Sequence, residues 1–418
     1  MYRNPVNLVV VLSFCLLNPM YALAICAILN FMESKINYRF FAIIFALSFS
    51  FYFSLRDWSG LYFKSDAFIY LQAFQMADMS SFTAIFHQLA LNLQGSEPFW
   101  YIYLWLSRIL LGDNVGLFIF SNYLIIFLLT AYLGKLVGGK RFVIVIFCII
   151  CVNPGFLYNI LEVWRHTFAL LLFLIGIFFF EANKHRLLSR VVMYSSGFVH
   201  LVAIPLVLLY EFFTFCGKKN ARLRRNDRFQ MIKWYSFEII GYAIFVALII
   251  SLVDKYYEYT FSFVGITSLL VYTKDIGTVQ SGYYFLFNPL SYVLIFYFWF
   301  NRKQISKNDI FIGINYFAFI LTMMFLDLPS TPIGRTFYIF LVGATILSSK
   351  LIMKLDFRLG FICILTIIWH HFFNILGTSE GAHTLVNLLN GEYLNPFYGL
   401  AILTFKYDTL LVLPQGIL

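Results

Sequence analysis

The sequence predicts an all-α integral membrane protein, a polytopic bundle of about 11–13 transmembrane or re-entrant helices. Of its 418 residues, 61% are hydrophobic and only 12% are charged, whereas soluble domains are near half apolar and a quarter charged. The apolar residues form continuous runs, and continuous runs indicate spanning helices rather than the alternating strands of a barrel. No soluble domain interrupts them, so we expect one membrane domain over residues 1–418.

The apolar runs are long enough to cross, or nearly cross, a bilayer. They lie at Val6–Phe31, Phe40–Leu55, Phe99–Leu111, Val115–Leu133, Phe142–Val152, Val163–Phe180, Val191–Tyr210, Tyr235–Val253, Pro289–Phe300, Ile310–Leu326, Thr336–Ile352 and Leu359–Leu376. Some are too short to be straight spans. The short run Phe99–Leu111 is joined to the next run by only Gly112-Asp113-Asn114. It therefore either crosses the bilayer or enters it and returns to the same side.

Lysine and arginine predict which side of the membrane each connection faces, because basic residues are retained in cytoplasmic loops. Six connections hold 21 of the 30 basic residues and are therefore expected in the cytoplasm: 32–41, 134–141, 181–190, 211–233, 301–308 and 349–358. The long segments 56–98, 254–288 and 377–418 carry only 2, 2 and 1, so they are expected outside, the first with interfacial helices. This explains the formal charge of +10 without a nucleic-acid partner.

One apolar run does not fit a simple alternation of cytoplasmic and outer connections. Val191–Tyr210 has basic segments at both ends and contains Gly197, His200 and Pro205. A helix that breaks near Gly197–His200 and then returns would resolve the conflict. Irregular backbone at membrane depth is tolerated where it lines a protected cavity, so the break indicates a site. The alternative for His200 is a satisfied interior histidine.

Ionisable residues near membrane depth are costly and are candidates for function. In the first outer segment, which begins at Arg56, Asp66 and Tyr70 are four residues apart and would share a helix face. A carboxylate there can act as a general base or orient a sugar hydroxyl. An interfacial helix with solvated charges is the alternative. Glu97 comes directly before Pro98, and this pair also suits a plain helix start.

Two arginines stand at the expected outer ends of helices. Arg165 and His166 follow Glu162 closely enough to share its helix face, and Arg335 lies one turn before Tyr338. Arginine binds phosphate through a planar fork, and histidine titrates near neutrality, so the first group suits a diphosphate leaving group. A structural salt bridge and a snorkelling arginine are the alternatives. No recognised ligand spacing predicts a metal site.

The order of these groups resembles the EpsG-type branch of the Wzy-like bacterial polysaccharide polymerases. The matching stretches are Arg56 with Ser65-Asp66-x-x-x-Tyr70, Glu97-Pro98-Phe99, Asn114, Arg165-His166-x-x-Ala169, Gly197-Phe198-Val199-His200 and Arg335-x-x-Tyr338. Together they cover about residues 40 to 350. The family usually has Arg-Gln where this chain has Arg165-His166.

The resemblance implies a helical fold related to membrane glycosyltransferases that use lipid-linked sugars. Such enzymes lie in the bacterial inner membrane with the active site facing the periplasm. They transfer a glycan chain from undecaprenyl diphosphate to the non-reducing end of another lipid-linked repeat unit. Membrane lipid and a chain-length regulator are the other expected partners, and no cofactor is expected because the donor carries its own leaving group.

The resemblance and the residue chemistry together suggest roles. Arg165 and Arg335 would clamp the donor diphosphate, with Arg56 and His166 as further substrate-binding residues. Tyr70 and Tyr338 would line the sugar path. The acceptor hydroxyl would be deprotonated or oriented by Asp66 or, less favourably, by Glu97 or His200.

Two other functions compete with this interpretation. A flippase or other transporter also has many spans, but transporters usually show paired halves and mid-membrane sites. A membrane O-acyltransferase that modifies surface glycans would need a buried acid–base pair. His200 offers one member, and the sequence shows no evident second.

Overall fold

The computed structural model describes residues 9–13, 22, 38–54, 66–76, 97–139, 160, 163–183, 185–200, 203–220, 289–301, 305–325, 342–352 and 354. These residues are helical apart from short connections, and they include no strand. The helices longer than one turn and a half are α1 Tyr38–Ser54, α2 Asp66–Met76, α3 Pro98–Leu111, α4 Val115–Gly138, α5 Trp164–Asn183, α6 Arg186–Val199, α7 Ala203–Asn220, α8 Pro289–Asn301, α9 Lys307–Phe325 and α10 Val342–Ile352.

Two of the described helices are long and apolar enough to cross a membrane. They are α4 over its whole length and α5 over Trp164–Glu181. Both lie in runs from which the sequence predicted spans. The all-helical prediction is therefore confirmed for the described part of the chain.

Helices α1 and α4 pack antiparallel through aromatic rings. The ring centroids of Phe49 and Phe127 lie 5.4 Å apart, and those of Phe53 and Tyr123 lie 5.8 Å apart. Later residues of α1 contact earlier residues of α4, so the two helices run in opposite directions. Phenylalanines at a four-residue spacing supply the buried face of α1, because residues four apart share one side of a helix.

Helices α5, α6 and α7 form an antiparallel group of three. A Cβ atom on Gly176 of α5 would lie only 2.7 Å from the Cβ atom of Met193 on α6, so this crossing requires glycine. The Ser189 hydroxyl donates to the Gly176 carbonyl oxygen at 2.6 Å. On the other side of α6, Arg190 donates to the Glu211 carboxylate of α7 at 2.9 Å.

The helix break predicted near Gly197–His200 is confirmed. Helix α6 ends at Val199, His200 has extended backbone (φ −152°, ψ 124°), and α7 begins at Ala203. Because α7 returns alongside α6, both ends of the pair lead back to basic segments, as the sequence required. Helix α7 continues to Asn220, so the first part of the predicted cytoplasmic connection 211–233 is helical.

Helix α3 has the start that its sequence predicts. Pro98 occupies the first turn, and the Glu97 carbonyl oxygen accepts from the backbone N–H groups of Trp100 and Tyr101.

Helix α3 ends at a turn where Gly112 takes φ 60°, in the region that favours glycine. Asn114 then caps α4 by accepting from the Leu117 N–H at 2.9 Å.

The first turn of α9 joins four other helices through two adjacent polar residues. Asn308 donates to the Ile177 carbonyl oxygen of α5 and accepts from the Tyr210 hydroxyl of α7. Asp309 accepts from the Tyr297 hydroxyl of α8 and from Lys350 of α10, each at 2.6 Å. Both residues are buried, so this turn fixes how α8 and α10 pack onto the rest.

Candidate functional site

The Glu97 carboxylate lies at the centre of a buried charged cluster. Its Oε2 atom forms an ion pair with Arg165 at 2.5 Å, and its Oε1 atom lies 2.5 Å from Nδ1 of His200. All three side chains are at least 86% buried. Three chain segments therefore meet here: the start of α3, the start of α5 and the α6–α7 break.

Local structure holds each of these three residues. Pro98 restricts the backbone that follows Glu97, and the positive end of the α3 dipole stabilises the carboxylate. Arg165 is in the first turn of α5. His200 donates its backbone N–H to the Ser196 carbonyl oxygen, and its own carbonyl oxygen accepts from Ala203 at 2.9 Å. The imidazole is therefore fixed where the chain reverses direction.

The contact to Glu97 sets the orientation of the His200 ring. A carboxylate accepts hydrogen bonds, so Nδ1 carries a proton in this contact, and Nε2 is the acceptor when the ring is neutral. The His166 ring lies nearly perpendicular to that of His200, with centroids 5.5 Å apart. His166 is also buried, so two imidazoles and one guanidinium surround this part of the cluster.

An aromatic wall lies beside the charged cluster. Tyr70 of α2 contacts Trp100 with ring centroids 5.0 Å apart and Trp164 at 5.9 Å. The Arg165 guanidinium carbon lies 5.7 Å from the centroid of the Tyr70 ring, a cation–π distance. All three rings are essentially buried. Asp66, one turn before Tyr70, is half-buried and lies close enough to Arg165 to interact electrostatically.

The described residues thus place six of the nine candidate residues in one region. Glu97, Arg165, His166, His200, Tyr70 and Asp66 come from four elements that the sequence could not place relative to each other. The other three candidates, Arg56, Arg335 and Tyr338, lie outside the described residues, as do Glu162 and the segments 254–288 and 377–418. No group of three or more metal-ligating side chains occurs in the described part of the chain.

The sequence reasoning missed two residues of the aromatic wall, Trp100 and Trp164. A signal was present for both. Trp100 follows Glu97-Pro98 within the same turn, and Trp164 directly precedes Arg165. It also missed the contact between Glu97 and His200, because the plain capping interpretation of Glu97 needed no partner and no local pattern links residues so far apart.

The charges of the cluster nearly balance. Arg165 supplies one permanent positive charge, and Glu97 supplies one negative charge against it. Asp66 adds a second negative group near Arg165. Within the described cluster, further positive charge comes only from protonation of His166 or His200. An incoming anion would therefore compete with Glu97 for the guanidinium.

Comparison with known proteins adds no assignment. No protein-family model matches the chain, and no curated protein or solved structure matches it.

Proposed function

We propose that this protein is a multi-pass membrane glycosyltransferase that polymerises lipid-linked oligosaccharide repeat units. The donor would be a glycan chain on undecaprenyl diphosphate, and the acceptor would be the non-reducing end of a second lipid-linked unit. The observation that carries the proposal is the Glu97 carboxylate shared between Arg165 and His200. It places an anion-binding group beside an oriented imidazole, and these two groups can serve as the leaving-group stabiliser and the general base of glycosyl transfer from a diphosphate.

The charge distribution along the helices supports an active site on the outer face of the bacterial inner membrane. Arg165 and His200 lie at one end of the antiparallel group α5–α7. The opposite ends of these helices lead into the basic segments 181–190 and 211–233. Basic connections are retained in the cytoplasm, so the cluster would face the periplasm.

The proposed reaction assigns a role to each residue. His200 accepts the proton of the acceptor hydroxyl at Nε2, and the hydroxyl oxygen forms a new bond to the anomeric carbon of the donor sugar. The bond between that carbon and the diphosphate oxygen breaks, and the lipid diphosphate leaves with the electron pair. Arg165 stabilises the negative charge on the leaving group. Glu97 holds the His200 ring in the tautomer that leaves Nε2 able to accept.

The geometry favours His200 rather than Asp66 as the general base of the proposed reaction. The sequence favoured Asp66, with Glu97 and His200 as weaker alternatives. Glu97 is occupied by two cationic or proton-donating partners, which makes it a poor base. His200 has an orienting carboxylate, and imidazole is the side chain that most often serves as a general base. We assign Asp66 the orientation of the acceptor hydroxyl, and Tyr70 a place on the sugar path.

A deletion strain tests the function. Surface glycan is extracted and separated by length in the wild type, the deletion strain and the complemented strain. Single repeat units in the deletion strain, with the ladder restored on complementation, support a polymerase. Absence of all repeats would indicate a flippase, and an unchanged ladder would contradict both.

One observation favours a second candidate, a membrane O-acyltransferase that modifies surface glycans. The sequence showed no partner for His200, and the structure supplies one in Glu97. A buried carboxylate–histidine pair also suits acyl transfer to a sugar hydroxyl. The two functions differ in the deletion strain, because loss of an acyltransferase leaves the ladder intact and removes acyl groups from its sugars.

A further inference from the structure

We propose that Glu97 couples anion binding at Arg165 to the proton affinity of His200. The inference rests on the proposed function only in taking the anion to be the diphosphate of a lipid-linked donor. Glu97 is a positioning residue in this account. It acts through its two neighbours rather than on the substrate.

The geometry provides one carboxylate for two partners. Each oxygen of Glu97 has its own partner at 2.5 Å, Arg165 on one side and the imidazole Nδ1 on the other. Both contacts are buried, and electrostatic interactions are stronger there than in water. A change in one contact therefore changes the energy of the other.

The charged and titratable groups around Glu97 and His200 come from three described helices besides the α6–α7 break. Helix α5 supplies Arg165, which pairs with Glu97, and His166, whose ring faces His200. Helix α3 supplies Tyr101, which interacts with Glu97, and α2 supplies Asp66 and Tyr70, which interact with Arg165. Arg165 is the group among them with a permanent positive charge. It is also the natural ligand for a diphosphate, because its fork donates two parallel hydrogen bonds.

Anion binding redistributes these interactions. When a diphosphate takes hydrogen bonds from Arg165, the guanidinium no longer neutralises Glu97 fully. The carboxylate then attracts the Nδ1 proton of His200 more strongly, which favours the protonated form of the ring and makes Nε2 a stronger base. The base would thus be strengthened only when the donor is present. Linkage requires the reverse effect too, so protonation of His200 must tighten anion binding.

The test is the binding of a short isoprenoid diphosphate, farnesyl diphosphate, to the full chain in nanodiscs of neutral lipid. Titration calorimetry in two buffers of different ionisation enthalpy gives the protons taken up on binding at each pH between 6 and 8.5. We expect the wild-type affinity to rise as pH falls through neutrality, by a factor of about 5 to 150 for a typical coupling. The E97Q and H200Q variants should bind but lose most of this pH dependence and of the proton uptake.

The controls separate the possible failures. His185 is exposed and outside the cluster, so H185Q should behave like the wild type. The diphosphate's own titration is common to all variants and cancels in the comparison. H200Q keeps both Glu97 and Arg165, so it carries the test alone if E97Q does not fold. Equal proton uptake by the wild type and H200Q would overturn the coupling while leaving the donor site intact. A wild-type protein that binds no diphosphate would contradict both the donor site and the coupling.

Discussion

The Oε1 atom of Glu97 lies 2.5 Å from Nδ1 of His200, although 103 positions separate the two residues in the chain. The same carboxylate pairs with Arg165 through its other oxygen. This contact turns two residues with ordinary structural explanations, a helix-start glutamate and an interior histidine, into parts of one buried cluster. Substitutions in this cluster, and in the helix contacts that hold it, should therefore affect both activity and stability.

Replacement of His200 tests the proposed base. We expect H200Q to lower the rate of repeat-unit transfer about 10²- to 10⁴-fold, the usual contribution of a positioned general base. Polymer length in complemented cells and turnover by purified protein measure the effect. H185Q changes the same residue type at an exposed position and should leave both unchanged. Normal polymer from H200Q would remove His200 from the mechanism.

Replacement of Arg165 tests the proposed donor clamp. R165A should reduce transfer about 10²- to 10³-fold, because a group that stabilises developing negative charge is lost. R165K should recover little, since lysine supplies a point charge without the planar fork. The matched control is R190A, which removes an arginine from an exposed ion pair with Glu211. Exposed pairs contribute about 0–1 kcal/mol, so R190A should retain a full ladder.

The predicted clamp also includes Arg335, which lies outside the described residues. R335A is expected to shorten the polymer as R165A does, because two positive groups would share the donor diphosphate. The chain-length distribution of surface glycan measures this in the same complemented strain. If R165A and R335A both leave polymer length unchanged, the diphosphate assignment is wrong.

The contact between Asp309 and Lys350 tests the packing of α10 against α9. Asp309 is buried and Lys350 is largely buried, at 4% and 14% exposed, so K350M should cost about 3–5 kcal/mol by leaving a charge uncompensated. The double variant D309N/K350M should recover part of the loss, because it removes both charges. Thermal unfolding in detergent measures the shifts. A double variant no more stable than K350M would show that the pair is not coupled.

Replacement of Gly176 and Gly197 by alanine tests how closely the helices pack at each position. In G176A the new methyl group would meet the Met193 backbone, with the Cα atom at 2.8 Å, and we expect a loss of about 1–3 kcal/mol. In G197A it would meet only the Ile204 side chain, at 2.9 Å, which can move. Unfolding measurements should rank G176A as the more damaging change. The reverse order would contradict the close crossing of α5 and α6.

Much of the local structure was predictable from sequence. The start of α3 at Pro98, the capping of α4 by Asn114 and the break before Ala203 follow from residues that act within one helical turn. The meeting of Glu97 with Arg165 and His200 was not predictable. It depends on which helices pack against each other, and the periodicity of apolar residues marks a buried face without naming its partner helix.

The helical content of 211–220 was also missed, for a physical reason. The basic residues of 211–233 suggested a loop, but the backbone of α7 is helical as far as Asn220. Glu211 lies in the same stretch and pairs with Arg190 of the neighbouring helix. A charged segment that follows an apolar run can therefore extend the helix rather than end it.

The proposed function requires this protein by itself to join lipid-linked repeat units. The most direct measurement uses purified full-length protein in liposomes with an undecaprenyl-diphosphate-linked repeat unit, and follows glycan length and released lipid diphosphate together. We predict a ladder of polymer with one undecaprenyl diphosphate released for each new linkage, and neither product with H200Q. A folded wild-type preparation that forms no linkage and releases no lipid diphosphate would contradict the proposed function.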